Sequence, residues 1–580
     1  MPGDFVIDLL AREILTLDGE NRSLIPAYEQ IIESGLSQKL AKEESRRDVL
    51  IIGAGIAGLI TARALKGAGY NVTIAEANDN RIGGRIKTFR TADDGNVFKD
   101  PLQYAEAGAM RIPTTHPLVN KLIDVMGLRN RAQPFFNVDV CKGTPDVMGF
   151  RTWLRTNGIQ VRRRDYNSGA LKPDQRTAGF PLPDKYKGRT AQSLLDEALA
   201  PVNELIDITQ PIEKQLEGWK QIIQKYDGYS MARLLREHFD SEVVVEYIGT
   251  IQNLTSRLFL SFLHSFIDTF YISSSSKYIE LAGGNWQLPH AFLPELQENI
   301  IMDSRVIEIQ WTDGQRLPSN SRALHLGKPG VYIRTINEPA IKRGIQRRNH
   351  IRVERELTAD YLVVAIPFSA LRFIDISPDF SYEKRRSIIE LHYDSATKVL
   401  LEFSERFWEW DETEWRNHLG GTYKGHNSLG GASITDSPNR FIYYPSHRIP
   451  KTRGGVVLAS YTWADDANRW DSIPAEDRLN FALKGLTDIY GTGIKRFFTG
   501  WGQTESWMED YYAFGEAAVF SPGQLTTLHP HIRKPEGLVH FAGEHTSLKH
   551  AWVEGAIESG IRAAIEIHTR SASRPSAGRS

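Results

Sequence analysis

The chain has 580 residues and a balanced charge, with 70 lysines and arginines against 71 aspartates and glutamates. A composition that is 41% hydrophobic and 24% charged is that of a folded protein with several structural units, and it excludes a fibrous or disordered chain. Nucleic acids and membrane surfaces are excluded as general partners, because both require a basic excess.

The N-terminus and the cysteine count predict the cellular compartment. The first 45 residues have helical patterning, and their opening carries acids where a secretory signal would have basic residues and an apolar run. No stretch approaches the roughly 18–20 apolar residues that cross a bilayer. The single cysteine, Cys141, excludes a disulfide within the chain. We expect a soluble, cytoplasmic protein with no membrane partner.

The segment DVLIIGAGIAGL, 48–59, begins an alternating strand, helix and strand. Gly53, Gly55 and Gly58 follow a buried strand in the spacing G-x-G-x-x-G. The first glycine permits a tight turn, the second lets a pyrophosphate approach the backbone, and the third allows close helix–strand packing. The next strand ends at Glu76, where an acid that binds a ribose belongs. This unit predicts a bound dinucleotide, either NAD or FAD.

Two segments downstream of the glycine motif contain arginines whose roles are open. RIGGRIKT, 81–88, either offers two glycines and Arg85 to the pyrophosphate or is a turn with a solvated arginine. EAGAMRIP, 106–113, is a run of small and apolar residues around Arg111. Guanidinium offers a rigid fork that matches the two oxygens of a carboxylate. From the residues alone, Arg111 either binds a ligand carboxylate or pairs with an internal acid such as Glu106.

The rest of the chain passes from loop to helix to short strands. Residues 160–190 predict a long loop, and 191–272 have helical spacing. Five β-like runs follow, at 304–311, 359–367, 396–403, 440–445 and 455–463. A last strand and helix occupy 538–568, and the polar tail, 569–580, is predicted to be disordered. The order of elements predicts an α/β protein of mixed α+β character.

With the strand–glycine–helix unit, RIGGRIKT resembles the flavoproteins of the amine-oxidase superfamily, which selects FAD over NAD. EAGAMRIP resembles the flavin L-amino acid oxidases, a family that includes snake-venom, fungal and bacterial enzymes. The segments 391–408, 430–447 and 456–467 resemble successive blocks of the same family, and the likeness extends from about 46 to 566. The segment 544–556 has no cysteine, so FAD should be held non-covalently.

The resemblance implies a Rossmann-type FAD-binding domain, a mixed-sheet substrate domain and a helical insertion. The expected FAD-binding domain is discontinuous and comprises 46–100, 280–390 and 518–568. The expected substrate-binding domain comprises 1–45, 101–170 and 391–517, and the helical domain comprises 171–279.

The resemblance also implies the FAD contacts. Glu76 binds a ribose, Arg85 approaches the pyrophosphate, and Glu544 binds the ribityl or phosphate region. The helix beside Trp552 directs its positive end at the flavin N1–C2=O edge, which stabilises the reduced anion. The full expected set is Gly53, Gly55, Ile56, Ala57, Gly58, Glu76, Ala77, Gly83, Gly84, Arg85, Gly108, Ala109, Met110, Arg111, Val306, Gly543, Glu544, Trp552 and Val553.

Four residues match catalytic positions of the family. Arg111 matches the arginine that grips the substrate α-carboxylate, and Tyr461 matches a tyrosine that joins it there. Lys398 matches a lysine that holds a water against flavin N5, and Trp552 matches an aromatic wall of the substrate cage. Without the resemblance, Lys398 would be read as an exposed strand lysine, and the two aromatics as core residues.

The pocket for the substrate side chain is less defined, and it includes Trp463 and Ala551. Depending on where a gap is placed, its helical residue is His264 or Asp268, which lie one turn apart. A buried Asp268 would favour a lysine or arginine substrate. A helix-end acid facing water is the other reading.

The activity implied is oxidative deamination. A hydride passes from the α-carbon of an L-amino acid to flavin N5, the imino acid hydrolyses to a 2-oxo acid and ammonia, and molecular oxygen is reduced to hydrogen peroxide. The alternatives are a flavin monooxygenase that converts the amino acid to an amide, an amine oxidase, and a non-catalytic flavin protein. Arg111 argues against the amine oxidase. We expect a homodimer or higher homo-oligomer and no metal site.

Overall fold

The computed structural model describes residues 3–17, 24–37, 47–137, 140–141, 144–148, 152–168, 171–272, 277–312, 330–337, 353–427 and 429–573. The helices of these residues are α1 Asp4–Leu17, α2 Ile25–Ser34, α3 Ile56–Gly67, α4 Thr91–Asp94, α5 Pro117–Val125, α6 Arg163–Ser168, α7 Pro173–Arg176, α8 Ala191–Asn203, α9 Ile212–Tyr226, α10 Met231–Phe239, α11 Glu242–Ile251, α12 Phe262–Tyr271, α13 Gln287–His290, α14 Leu293–Leu296, α15 Phe368–Leu371, α16 Tyr382–Glu390, α17 Glu412–His418, α18 Ala464–Asp471, α19 Ala475–Tyr490, α20 Gln524–Ile532 and α21 Val553–Ser573.

The strands are β1 Asp48–Ile52, β2 Asn71–Ala75, β3 Thr88–Arg90, β4 Tyr104–Glu106, β5 Ile112–Pro113, β6 Ala132–Phe135, β7 Val140–Cys141, β8 Thr144–Met148, β9 Trp153–Thr156, β10 Ile159–Arg162, β11 Tyr278–Leu281, β12 Ile300–Ile301, β13 Arg305–Thr312, β14 Gly330–Ile336, β15 Glu354–Ala359, β16 Tyr361–Val364, β17 Asp375–Ser377, β18 Tyr393–Asp394, β19 Ala396–Phe403, β20 Ala432–Thr435, β21 Phe441–Tyr443, β22 Gly455–Trp463, β23 Phe498–Ser506, β24 Ala517–Ala518 and β25 Val539–Phe541.

The glycine motif lies at the edge of a five-stranded parallel sheet with the strand order β12-β2-β1-β16-β25. Strands β1 and β16 are near-continuous apolar runs because both faces of this sheet are covered. Helix α3 connects β1 to β2, so the carboxyl ends of both strands meet at one edge. Dinucleotides bind at this edge in folds of this type.

The C-terminal helix α21 packs on α3 at close range. A Cβ at Gly560 would lie 2.5 Å from the carbonyl oxygen of Ala57, and the Thr61 hydroxyl donates to the Gly560 carbonyl oxygen over 2.9 Å. Helix α21 continues to Ser573 with Ser571 buried, so the predicted disordered tail is wrong for 569–573. The rest of that tail, 574–580, lies outside the described residues.

A seven-stranded sheet with the order β10-β9-β20-β21-β22-β19-β23 forms the second large layer. The predicted runs 396–403 and 455–463 coincide with β19 and β22, which pair antiparallel with Lys398 opposite Tyr461. Every residue of β19 is buried, because helix α19 packs on one side of the sheet and an apolar cluster containing Met110 packs on the other.

Helices α8–α12 account for the helical segment predicted at 191–272, and α1 packs against α9. A four-stranded sheet, β15-β14-β13-β17, lies beside the parallel sheet. The predicted loop at 160–190 contains the end of β10 and helices α6 and α7. Among the described residues, no helix has both the length and the apolar character needed to span a membrane. The domain boundaries given above stay predictions.

Candidate active site

A cavity of about 520 Å³ lies between the carboxyl edge of the parallel sheet and the β19–β22 face of the seven-stranded sheet. Every predicted site residue lines it except Gly58 and His264. The predicted residues in its wall are Gly53, Gly55, Ile56, Ala57, Glu76, Ala77, Gly83, Gly84, Arg85, Gly108, Ala109, Met110, Arg111, Asp268, Val306, Lys398, Tyr461, Trp463, Gly543, Glu544, Ala551, Trp552 and Val553. Segments far apart in the chain therefore meet at one site.

The protein's own backbone and packing require two of the three glycines in the motif, Gly53 and Gly58. Gly53 has φ +98°, a conformation that favours glycine, and a Cβ at Gly58 would lie 2.1 Å from the Gly53 carbonyl oxygen. Gly55 has φ −71°, and a Cβ there would meet no protein atom within 4 Å. Neither the backbone nor packing requires glycine at position 55. Its missing side chain leaves space in the cavity, beside the N-terminus of α3, where an anion is stabilised.

Glu76 closes the same end of the cavity. Its buried carboxylate accepts hydrogen bonds from the backbone N–H of Ala54 at 2.7 Å and of Asn78 at 2.9 Å. The first bond fixes the acid against the glycine turn. The position of an acid at the end of β2, beside the turn, fits the ribose of a dinucleotide.

Arg85 and Glu544 form an ion pair within the cavity wall, with the Arg85 Nη1 2.8 Å from the Glu544 Oε1. Arg85 also donates to the Glu516 carbonyl oxygen at 2.8 Å, and Glu544 accepts from the Ala551 N–H at 3.1 Å. Burial by itself raises the pKa of Glu544, but the Arg85 guanidinium, His550, His545 and the Ala551 N–H together outweigh it and hold this pKa below its ordinary value. The pair ties the glycine-rich turn at 83–84 to the C-terminal segment.

Arg111 lies at the opposite end of the cavity from the glycine turn. Its guanidinium donates to the Tyr443 hydroxyl at 2.8 Å and to the Asn137 side-chain oxygen. No carboxylate among the described residues forms an ion pair with it, so the internal pairing with Glu106 is wrong. It is Tyr443, and not Tyr461, whose hydroxyl accepts from Arg111. Tyr461 lies close by in the wall.

Lys398 is buried, so the reading of an exposed strand lysine is wrong. Its Nζ donates to the carbonyl oxygens of Gly108 at 2.6 Å and Glu106 at 3.1 Å, and lies 4.9 Å from the Tyr461 ring centroid. Burial lowers the pKa of Lys398 to about 8, partly opposed by the negative charge of Glu106. The lysine therefore holds the backbone of EAGAMRIP against β19.

The carboxyl group of Glu106 is buried behind that segment. It accepts hydrogen bonds from the Asn285 N–H at 2.7 Å and the Thr88 hydroxyl at 2.8 Å. Burial raises the pKa of Glu106 to about 8, although these two hydrogen bonds and Lys398 oppose the rise.

Asp268 lines the cavity, and His264 does not. The Trp552 indole N–H donates to Asp268 over 2.7 Å, so the acid fixes the orientation of the predicted cage wall. Burial raises the pKa of Asp268. His264 lies beside His550, with ring centroids 5.3 Å apart, and burial keeps its pKa well below the ordinary value. Of the two alternatives for the pocket, the structure brings Asp268 to the site.

Arg257 and Glu516 also line the cavity, although the sequence does not predict them. The Arg257 Nε lies 3.2 Å from Asp394, its Nη2 lies 3.8 Å from Glu516, and its guanidinium lies 5.2 Å from the Trp463 ring centroid. Burial raises the pKa of Glu516, with Arg257 opposing the rise. A second arginine therefore lies on the Trp463 side of the cavity.

The family model for flavin containing amine oxidoreductases matches residues 56–568. The chain belongs to this family. It is 42% identical to a protein named L-glutamate oxidase precursor from Streptomyces viridosporus, over 97% of this chain and 91% of the relative. It is 39% identical to another L-glutamate oxidase precursor, from Streptomyces diastatochromogenes, over 95% of this chain and 96% of the relative. An L-amino-acid oxidase of Siganus canaliculatus is 32% identical over 93% of this chain and 89% of the relative.

Two solved structures agree with the fold of this flavin-containing oxidoreductase. A variant of putrescine oxidase superposes with a TM-score of 0.63 at 18% identity, over 90% of this chain and 99% of the other. Cyclohexylamine oxidase from Brevibacterium oxydans gives 0.63 at 19% identity with the same coverage. The predicted family, the enzymatic class and the α/β fold with a Rossmann-type dinucleotide-binding unit are confirmed. A flavin cofactor follows from the family.

The sequence prediction missed two residues of the site, Tyr443 and Arg257. Only Tyr443 has a recognisable pattern in the sequence. Tyr443 lies in the family-like block 430–447, and the period-two pattern of β21 puts it on the same face as Phe441, so it could have been found. Arg257 lies in a turn between α11 and α12, where neither periodicity nor a motif marks it.

Proposed function

We propose that the protein is an FAD-dependent oxidase that oxidatively deaminates L-amino acids, with L-glutamate as its preferred substrate. The products are the 2-oxo acid, ammonia and hydrogen peroxide. The observation that carries this proposal is the half-buried Arg111 in the cavity wall, whose hydrogen-bond partners, Tyr443 and Asn137, are both neutral. A guanidinium drawn out of water with no carboxylate hydrogen-bonded to it is costly, and a substrate carboxylate supplies that partner.

Arg111 also separates this proposal from an amine oxidase. An amine substrate lacks the carboxylate, and its ammonium form would meet the positive charges of Arg111 and Lys398. An amino acid brings its carboxylate to Arg111. When its amino group is neutral, this contact holds the α-C–H of the bound substrate in a fixed orientation. Bound FAD supplies the acceptor for the α-hydride and passes the electrons to oxygen.

The preference for glutamate rests on Arg257 and on the relatives. Arg257 lies beside Trp463, on the wall shared with Asp268, and it offers guanidinium N–H groups to a second carboxylate. The two Streptomyces relatives are named L-glutamate oxidase precursors. Asp268 accepts a hydrogen bond from the Trp552 indole. Its carboxylate is therefore occupied, whereas a free carboxylate would favour a lysine or arginine side chain.

The chain's own residues suit distinct tasks in this reaction. Gly53 and Gly55 would hold the pyrophosphate, and Glu76 the adenosine ribose. Arg111 orients the substrate carboxylate. Lys398, with two of its donors occupied by backbone carbonyls, keeps one for a water that assists imine hydrolysis or oxygen reduction. FAD is held non-covalently, since 544–556 has no cysteine. The homo-oligomer and the cytoplasmic location stay predictions.

The test is product analysis of the purified yellow protein across the twenty L-amino acids and several D-forms. We expect equal amounts of peroxide, ammonia and 2-oxo acid with L-forms only, and the highest kcat/KM with L-glutamate. An amide product with little peroxide would identify the monooxygenase instead. Turnover of amines that lack a carboxylate would identify an amine oxidase, and no turnover of any amino acid would contradict the role of Arg111.

The glutamate preference has its own test in Arg257→Gln. Loss of a buried charge partner costs about 2 kcal/mol or more, so kcat/KM for L-glutamate should fall at least about thirtyfold. The value for L-glutamine, which has no side-chain charge, should stay within a few fold. Arg236→Gln is the matched control, because Arg236 pairs with Glu242 on the surface. Equal losses for both substrates would contradict the assignment.

A further inference from the structure

Three aromatic side chains, Phe373, Tyr511 and Phe514, form a cluster at the mouth of the cavity, which we name the aromatic rim. The Phe373 and Phe514 ring centroids lie 5.1 Å apart, and those of Tyr511 and Phe514 lie 5.8 Å apart. All three line the cavity, yet Phe373 is 67% exposed and Tyr511 is 47% exposed. Rings so exposed contribute little to the core, so packing alone does not account for the cluster.

Backbone contacts place the rim at the Glu76 end of the cavity. The Ser304 N–H donates to the Glu76 carbonyl oxygen over 2.8 Å, and the guanidinium of the next residue, Arg305, lies 5.6 Å from the Tyr511 ring centroid. Through Arg305 and Ser304, Tyr511 is therefore connected to the segment that carries the proposed ribose acid.

Phe373 is connected to the same end through the segment at 365–367. It follows α15, which begins directly after the segment 365–367. A Cβ at Gly53 would lie 2.9 Å from the Ile366 side chain, so that segment lies against the glycine turn. Phe373 and Tyr511 therefore both lie near the glycine–Glu76 end, and the Phe514 ring packs against both.

The backbone at Phe514 indicates that the ring is held in place. Its φ is +51°, which a residue with a side chain rarely adopts, and its N–H donates to the Asp510 carbonyl oxygen over 3.0 Å. Such a conformation persists where the surroundings over-determine it, and it is frequent at ligand clamps.

We propose that the aromatic rim stacks on the adenosine half of FAD and slows its release. The proposal rests on FAD being the cofactor, as proposed above. Adenine presents a flat π-face, and aromatic side chains bind bases by stacking without hydrogen-bond readout. A cofactor held without a covalent bond is retained by such contacts, and the exposed rings lie at the end of the cavity where Glu76 would hold the adenosine ribose.

The test compares FAD release from the holoenzymes of the wild type, Phe373→Ala, Tyr511→Ala and the double variant. After unbound flavin is removed, the fluorescence of freed FAD gives the rate. We expect release about tenfold faster for each single variant and faster still for the double variant. Phe373→Trp, which keeps a stacking ring, should restore slow release. Phe481→Ala is the matched control, because Phe481 is 52% exposed on α19 and does not line the cavity.

The outcomes distinguish a failure of the proposed rim contact from a failure of the proposed function. If the variants bind FAD and release it at the wild-type rate, the role of the aromatic rim is wrong and the proposed function is unaffected. A wild-type protein that carries FMN or no flavin would overturn both. Faster release with unchanged KM for the amino acid, and with an unchanged circular dichroism spectrum, supports stacking at the adenosine end rather than a general loss of structure.

Discussion

The two ends of the cavity are formed by different kinds of chemical group. At the Glu76 end, a glycine turn forms much of the wall: Gly53 and Gly58 are required by backbone conformation and packing, and Gly55 leaves open space beside the N-terminus of α3. At the Arg111 end, buried and half-buried side chains of both charges come from β19, α12 and several loops. Shape therefore controls the first end, and charge controls the second.

This difference predicts different failures. Added atoms at the Glu76 end should remove the cofactor, without dependence on pH. Changes of charge at the Arg111 end should alter substrate turnover or pH dependence while the flavin stays bound. Each variant below breaks or sharpens this contrast.

Gly55→Val should have the largest effect. A Cβ at position 55 meets no protein atom, and φ of −71° suits any residue, so the chain should fold. The added side chain would occupy the space beside the N-terminus of α3. We expect a colourless protein without flavin absorbance and no detectable turnover, with the wild-type circular dichroism spectrum.

Gly67→Val is the control for that variant, because a Cβ at Gly67 also meets no protein atom within 4 Å but lies outside the cavity. It should purify yellow and active. If Gly55→Val bound FAD as the wild type does, the inference that shape controls cofactor binding at the Glu76 end would be wrong.

Arg111→Ala comes next. Removing one partner of a buried charge contact costs about 3–5 kcal/mol, which lowers kcat/KM by roughly 10² to 10³ or more. Flavin content should stay near the wild-type value, which separates a substrate role from a cofactor role. Steady-state kinetics and the flavin-to-protein ratio are the measurements. Arg233→Ala, on the surface of α10, is the control, and an Arg111→Ala enzyme of wild-type efficiency would refute the assignment.

The sequence predicts the two ends of the cavity to different extents. The glycine motif and Glu76 are contiguous, and the local pattern of apolar strand, glycine spacing and helix is enough to predict them. The bounds of β19 and β22 were predicted as well, because apolar β-branched runs between polar segments mark buried strands. Local regularity is therefore enough to predict the fold and the Glu76 end of the cavity.

The Arg111 end is predicted less completely. Arg111, Lys398, Tyr461 and Trp552 were found through family resemblance, and all four line the cavity. Arg257 was missed because the packing of distant segments brings its turn to the site, and a turn has no periodic signal. Long-range contacts of this kind are not encoded in any local window.

The Glu106 carboxyl predicts a pH effect on stability. Its pKa is about 8 in the folded state against 4.5 for the free residue, so the folded protein binds more protons between these values. Stability from this group is therefore lost as the pH rises from 4.5 towards 8. Lys398, whose pKa falls from 10.5 to about 8, has the opposite trend, since stability rises from pH 8 towards 10.5.

Glu106→Gln should remove the first trend. The glutamine oxygen still accepts from the Asn285 N–H, and its NH2 group can donate to the Thr88 hydroxyl. Between pH 5 and 8, the wild type should lose on the order of 2–3 kcal/mol more stability than the variant, measured by urea unfolding at each pH. Parallel losses in the two proteins would show that Glu106 titrates normally.

Asp268→Asn should have the smallest effect, and it decides what this acid does. If Asp268 holds Trp552 by accepting the indole N–H, asparagine keeps an acceptor and kcat/KM for L-glutamate should change by less than about threefold. Asp268→Leu, by contrast, leaves the buried N–H unpaired, which costs about 1–3 kcal/mol and should lower kcat/KM by about tenfold or more. Steady-state assays with L-glutamate and L-lysine measure both variants. A selective loss of lysine turnover in Asp268→Asn would mean that the carboxylate charge itself binds a basic side chain, and the substrate end would then select its ligand through an acid instead of through Arg257.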